Sequence, residues 1–485
     1  MASTEASIVV PSGTSTNTIT ITFPSVPGAT SYNVYRGTAS GAEAQYYNTT
    51  SSPYTDTGST ATNGTPRPSL PNNKPIWFEA ANNYLFGFNG INEVDFNGTR
   101  LQINRYGVPI GYYAKWYHSY MFIANNVSYP NRLYFSNIGD PTTYPGSNYV
   151  DINPGDSDQI TGLAIIQDEL LIFKQGTIWA ITGWSESTFA STTAAGQNLN
   201  GRIFGYGTTA PFSLVNTGND VLYFSMIGHT PVIRSVTKTS FAVTLDGGIV
   251  SDVIRGTMSN ITISAIPGIQ GGFDGRYAYW AIPVNGSSVN NEVIVLDTWE
   301  ISSKNYPFTT MTGKNMGYIA TSLIPGQAQI YFTDATQIAG SPNAGTGLVM
   351  KFNPALYTDN GNNIKATIQS RGYMPDPARK FKWKYLYGKY SQGENTQLTF
   401  SSQVDMGGMT QQGQISLQGM SAYLLDISFY LDRSTMDSTG GNSQRMPIAS
   451  QTGKIWQWQM IESSADYFEI YDLETYFLPK GLRSD

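Results

Sequence analysis

The feature that most constrains this chain is a short aromatic-aliphatic run that keeps returning behind a polar turn. It appears as Tyr84-Leu85-Phe86, Tyr120-Met121-Phe122-Ile123, Leu170-Leu171-Ile172-Phe173, Val221-Leu222-Tyr223-Phe224, Tyr277-Ala278-Tyr279-Trp280 and Ile330-Tyr331-Phe332. Successive runs start roughly 36 to 56 residues apart. Most lead through a turn to a second strand, as Gln175-Gly176 leads to Thr177–Ile181 and Asn285-Gly286 precedes Val293–Leu296. A four-stranded propeller blade needs roughly 40–50 residues. Such a blade buries its faces only against its neighbours, so the ring must close. The spacing predicts a β-propeller-like central domain of five or six blades over 72–365, with an irregular stack of antiparallel sandwiches as the alternative.

Composition agrees with an all-β chain. Charged residues are 13 % of the 485, about half of the roughly 25 % usual in soluble domains. Gly, Ser, Thr and Asn fill the deficit alongside 32 Tyr and 9 Trp, which suits strands and tight turns better than helix surfaces. There is no cysteine, so disulfides and thiolate metal sites are excluded. No apolar run reaches the 18 or so residues of a membrane span, and Met1–Ala6 lacks a basic region leading into an apolar one. The expectation is synthesis in a cytoplasm without stable membrane insertion. A net charge of −6 argues against a stand-alone nucleic-acid binder.

Two further regions flank the repeats. In residues 1–66, Thr18–Phe23 alternates at period 2, and Pro27-Gly28 leads into the alternating Tyr32–Arg36. With Tyr54-Thr55-Asp56-Thr57-Gly58, this wording resembles bacterial fibronectin type III modules. The strand pair that would complete one is replaced by the linker Ala61–Pro71, so an abbreviated fibronectin III-like module is expected. In residues 366–485, strands are expected at Ala366–Ser370, Lys380–Tyr390, Gln397–Ser402, Ser421–Leu431, Lys454–Ile461 and Tyr467–Phe477. They predict a C-terminal antiparallel β-sandwich from which Asp432–Gln451 projects as a polar loop.

The candidate chemistry is sparse. Only His118 and His229 could serve a Ser-His-Asp site; the first lies beside an apolar strand and the second in a Gly-Thr-Pro turn, and neither has a motif around it. The acidic run Asp151-Ile152-Asn153-Pro154-Gly155-Asp156-Ser157-Asp158, near Asp168 and Glu169, lacks the glycine and glutamate placement of an EF-hand and reads as a turn between strands. No catalytic, cofactor-binding or metal residue is assigned, and no cofactor or enzymatic activity is expected. One strand stands out by charge: Lys380, Lys382 and Lys384 alternate with Phe381, Trp383 and Tyr385, and Arg379 and Lys389 extend the basic run. It offers a cationic face for a neighbouring subunit or for DNA phosphates, or else an edge strand guarded by lysines.

The segment Asn131-Arg132-Leu133-Tyr134-Phe135-Ser136-Asn137-Ile138-Gly139-Asp140-Pro141, with Glu169–Phe173 and Thr177-Ile178-Trp179-Ala180-Ile181 behind it, resembles the propeller-containing tail nozzle, hub or DNA-stabilisation proteins of short-tailed bacteriophages. Asn131, Arg132, Tyr134, Ser136, Gly139, Asp140 and Pro141 carry the strand-turn wording, and Lys380–Trp383 fits the same families. The resemblance implies a structural virion protein in the phage tail. It would form a homo-oligomeric ring, usually hexameric, below the portal-adaptor protein and above tail fibre or tip proteins, enclosing the channel for DNA retention and ejection. A propeller-type glycan-binding or glycan-hydrolysing tail protein is the rival reading.

Overall fold

The computed structural model describes residues 17–23, 31–37, 45–57, 62–63, 75–167, 169–182, 199–204, 206–237, 248–301, 306–322, 329–334, 349–352, 358–359, 362–390, 397–416, 442–463 and 470–480. They fall into two units, Met1–Phe352 and Asn353–Asp485. The expected strand Ser421–Leu431 and Asp168 lie outside the described residues.

In the first unit, the N-terminal strands form two small sheets, Ile19–Ile21 with Tyr54–Asp56, and Tyr32–Arg36 with Gln45–Thr49 and Thr62–Asn63. From Trp77 onward, six antiparallel meanders follow in chain order. Sheet 1 comprises Trp77–Ala81, Tyr84–Phe88, Glu93–Phe96 and Leu101–Ile103. Sheet 2 runs from Tyr113–Tyr117 to Tyr149–Asp151, sheet 3 from Ile160–Ile166 to Leu199–Phe204, and sheet 4 from Val215–Asn216 to Thr230–Thr237. Sheet 5 runs from Gln270–Phe273 to Phe308–Thr312, and sheet 6 from Met316–Ser322 to Val349–Lys351. Each aromatic-aliphatic run of the sequence repeat lies in the second strand of one sheet, and in sheets 2 to 5 both faces of that strand are covered. Turn chemistry sets the hairpins. Asn82-Asn83 (φ 41° and 65°) and His118-Ser119 (φ 46° and 66°) are two-residue turns with both φ positive, the geometry whose twist matches the flanking strands.

The sheets stack face against face. Ala81, Phe86 and Phe88 of sheet 1 meet Ala114, Met121 and Ile123 of sheet 2. The other face of sheet 2, with Phe122, Leu133 and Phe135, meets Leu163, Leu170 and Ile172 of sheet 3. The same alternation joins Leu171 and Phe173 to Tyr223, Phe224 to Trp280, and Tyr279 to Phe332. Polar ties cross the junctions: the indole N–H of Trp77 donates to the Ala114 carbonyl at 2.7 Å, and that of Trp280 to the Ser213 carbonyl at 3.0 Å.

First strand touches first strand along the series, which makes the first strand of each sheet the innermost, as in a β-propeller. Gly271 and Gly272 allow that convergence in sheet 5. A Cβ on Gly271 would stand 2.7 Å from Val215 Cγ2 of sheet 4, and one on Gly272 2.5 Å from Ile319 Cγ2 of sheet 6.

The second unit is an antiparallel sandwich. One sheet orders Ala366–Gln369, Trp456–Glu462, Gln397–Val404 and Thr410–Ser416; the other places Phe381–Tyr390 between Asn442–Gly453 and Ile470–Pro479. Phe381, Trp383, Leu386, Leu398, Phe400, Met446, Ile448, Trp456 and Met460 fill the space between them. Asn442–Gly453 corrects the projecting-loop expectation for the C-terminal part of Asp432–Gln451: Met446 and Ile448 alternate into the core, and the segment pairs along Phe381–Tyr390.

Candidate functional site

The strand-turn Asn131–Pro141 is built as a brace. Arg132, on the strand Tyr129–Phe135, donates to both carboxylate oxygens of Asp151 on the neighbouring strand at 2.7 and 3.0 Å. Its guanidinium lies 4.2 Å from the Tyr129 ring centre and 3.7 Å from that of Tyr149, a stacked arrangement that lysine could not reproduce. Tyr134 pairs with Tyr149. The Asn131 carbonyl accepts the Ile152 amide at 2.8 Å. Ser136 is buried, accepts the Met121 amide at 2.9 Å and donates to the Asn137 carbonyl. Gly139 (φ 72°) donates its amide to Ser119 and accepts Asn82 of sheet 1 at 2.6 Å. Asp140 takes the Thr142 amide and hydroxyl at 2.9 and 2.6 Å. Burial pushes its carboxyl up, but the Thr142 and Thr143 hydrogen bonds outweigh this and hold it below the usual range. Pro141 is buried behind it.

The acidic run Asp151–Asp158 encloses an ammonium group. Lys174, fully buried, reaches Asp156 at 2.6 and 2.7 Å and the carbonyls of Ile152 and Asn153 at 3.2 and 3.4 Å. Asp158 receives the amides of Gln175 and Gly176, both at 2.9 Å. These oxygens fasten the loop to the sheet 3 hairpin. Among the described residues no group of three or more His, Asp or Glu side chains is arranged to hold a metal. His118 occupies a hairpin turn against the Tyr117 ring, and His229 is an exposed turn residue.

The basic strand differs from its expected geometry in two respects. It is the central strand of its sheet, paired on both sides, so the guarded-edge reading does not hold. Against Ile470–Pro479 a bulge between Trp383 and Tyr385 inserts Lys384 as an extra residue, whereas on the Asn442–Gly453 side three residues stand opposite it. Burial therefore switches from Phe381 and Trp383 to Leu386 and Gly388, and Tyr385 joins the face of Lys382 instead of the core. On that face the Tyr385 and Tyr476 rings stack 4.5 Å apart, with the Arg445 guanidinium 4.1 Å from the Tyr385 ring centre. Lys389 approaches Asp472 at 3.9 Å, Arg379 approaches Asp376 at 3.5 Å, and Glu474 accepts the Tyr476 hydroxyl. Lys380 is exposed, and Lys382 and Lys384 are half-buried. The face is mixed in charge and aromatic rather than a uniform cationic band.

Two surfaces escaped the sequence reading. A cleft of about 330 Å³ in the second unit is lined by Ser370, Arg371, Tyr373, Trp456, Trp458 and Phe477, among others; the period-2 pair Trp456-Gln457-Trp458 was its only sequence signal. The second surface is the side of sheet 1 turned away from sheet 2. Cross-strand partners share a face, so its two rows read Phe78–Gly87–Val94–Ile103 and Ala80–Leu85–Phe96–Leu101. Every residue is apolar, and Phe78, Leu85, Phe96 and Leu101 are 60, 44, 39 and 51 % exposed.

No family model matches the chain, and no curated protein matches it. Solved structures with similar folds include a luciferin-regenerating enzyme (7 % identity, 57 % of this chain and 89 % of that one, TM-score 0.33). Others are the WD40 domain of Toxoplasma gondii coronin (8 %, 53 % and 64 %, 0.34) and PorZ of the type-IX secretion system of Porphyromonas gingivalis (9 %, 69 % and 41 %, 0.32). At these TM-scores none of them bears on activity. The sheets themselves establish an all-β chain with a β-propeller-like central region.

Proposed function

We propose that the chain is a non-enzymatic structural subunit of a phage particle, a tail nozzle or hub component of a short-tailed virus. In this reading it forms a homo-oligomeric ring, six copies by resemblance, between the portal-adaptor protein and the fibre or tip proteins. Its role is mechanical and electrostatic: rigid stacked sheets shape a channel, and the low charge content offers passing DNA few phosphate contacts.

The observation that carries the reading is the brace at Asn131–Pro141. The residues that give the sequence its resemblance are engaged in holding sheet 2, through Arg132–Asp151, Ser136–Met121 and Gly139–Asn82. Such a motif suits a protein whose product is its shape. Antibodies against the chain should label the tail axis of virions, and particles lacking the chain should lose their DNA. Labelling away from the axis, or full DNA retention without the chain, would overturn the assignment.

The aromatic cleft favours one second reading, a glycan-binding tail protein, because Tyr373 and Trp458 offer rings on which sugars stack and Arg371 offers donors for their hydroxyls. Titration with capsular polysaccharide decides it: binding lost in Trp458→Ala supports the reading, and no binding by the unaltered chain removes it.

A further inference from the structure

We infer that the uncovered face of sheet 1 is the seat for sheet 6 of a second copy of this chain, so that copies join head to tail. The inference rests on the self-assembling reading above and names the surface that would do the assembling.

Inside the chain, every junction in the series from sheet 1 to sheet 6 is made the same way, the second face of one sheet against the first face of the next. Among the described residues no buried cluster joins sheet 6 back to sheet 1 as a closed ring would require, and each of these sheets keeps exposed apolar side chains on its far face. At the beginning stand the two apolar rows through Phe78 and Leu85. At the end, the inner face of sheet 6, with Ile319, Ile330, Phe332 and Met350, packs on sheet 5, while Tyr318, Tyr331 and Val349 on its outer face are 43, 36 and 65 % exposed.

Four large apolar side chains grouped on one sheet exceed the scattered exposure normal for a monomer surface. Their arrangement is that of a blade face awaiting its neighbour, because blades are covered only by blades in this fold. Among the described residues the outer rows of sheet 6 read Ala320–Tyr331–Lys351, Ser322–Gln329 and Thr333–Val349. Lys351 is the one charged residue in these rows, and a lysine stem covers apolar surface while its ammonium reaches water. Since the two end faces differ, their contact is heterologous and propagates around a ring or along a filament instead of closing as a two-fold dimer.

The absence of cysteine from the chain makes the test specific. Leu101→Cys and Val349→Cys are prepared separately and mixed, and a short bis-maleimide is added. The inference expects dimers linked between the two variants, abundant in the mixture and scarce in either variant alone, with an unaltered chain heavier than one copy in sedimentation. Adding Leu85→Asp to the Leu101→Cys chain should cut cross-linking at least tenfold while leaving circular dichroism unchanged. Leu101→Cys linking to itself would show an isologous contact and overturn the inference. So would a doubly substituted chain that links only within itself, or monomer mass with no cross-links throughout. The two readings fail separately: head-to-tail oligomers of a chain not found on the virion tail would leave this contact standing and remove the tail assignment.

Discussion

The ammonium of Lys174 lies 2.6 and 2.7 Å from the two carboxylate oxygens of Asp156, on a side chain with no solvent exposure. Two carbonyls complete its shell, so a run of acidic residues that could suggest a cation site is organised around a cation belonging to the chain. Burial raises the Asp156 carboxyl, but its bonds to Lys174, the Asp158 amide and Asn153 prevail and keep it below the ordinary range.

Asp156→Ala therefore leaves a buried charge without its counter-ion and should destabilise the first unit by about 3 kcal/mol, the scale for breaking a buried pair from one side. Asp158→Ala, which removes only hydrogen bonds to two amides, should cost about 1–2 kcal/mol. Urea denaturation followed by tryptophan fluorescence checks the order; equal losses would contradict it.

Glu93 on sheet 1 is fully buried and accepts the Arg105 amide at 2.8 Å. Burial, reinforced by the nearby Asp95, pushes its carboxyl up to about 7, against the lowering effect of the Arg105 amide. A raised folded-state value means the folded chain holds a proton that the unfolded chain releases. The corresponding stability is full below the ordinary carboxyl value and is lost as pH rises through about 7. Thermal melting should fall between about pH 5 and pH 8, and Glu93→Gln should flatten that part of the profile. An unchanged slope in the variant would show that another group titrates.

At the inner strand of sheet 5, Gly271→Ala places a methyl 2.7 Å from Val215 Cγ2 and 3.0 Å from the Ser213 carbonyl. The carbonyl belongs to the backbone and yields little, so a loss of about 1–3 kcal/mol is expected. A melting temperature equal to that of the unaltered chain would contradict the close approach of sheets 4 and 5.

Reversing Lys382 and Lys384 to Glu would set new negative charges on the face that already carries Glu474 and Asp472. If that face meets an acidic neighbour or DNA, particles assembled with this variant should lose DNA or assemble poorly. Normal particles would leave the strand a purely structural role.

The propeller-like region was legible because blades repeat: an aromatic-aliphatic run marks the second strand of each sheet, from Tyr84–Phe88 to Gln329–Asp334. Single-residue events were not legible. The bulge at Lys384 leaves no trace in the alternation of Lys380–Tyr385, yet it moves Tyr385 to the opposite face. Nor could spacing show that Lys174 meets Asp156, since the pair forms only after the chain crosses the sheet 3 hairpin. Asn442–Gly453 was hidden by its polar residues, because only Met446 and Ile448 mark its buried side. The face of Phe78 and Leu85 was masked by the opposite fault: both sides of sheet 1 are rich in apolar residues, and only the register separates the covered side from the bare one.

The most direct test of the structural-subunit account is the mass and negative-stain shape of the purified 53.0 kDa chain, measured alone and within its virion. The account predicts closed rings of several copies, six by resemblance, coincident with density on the tail axis. A stable monomer with no counterpart on that axis would contradict it.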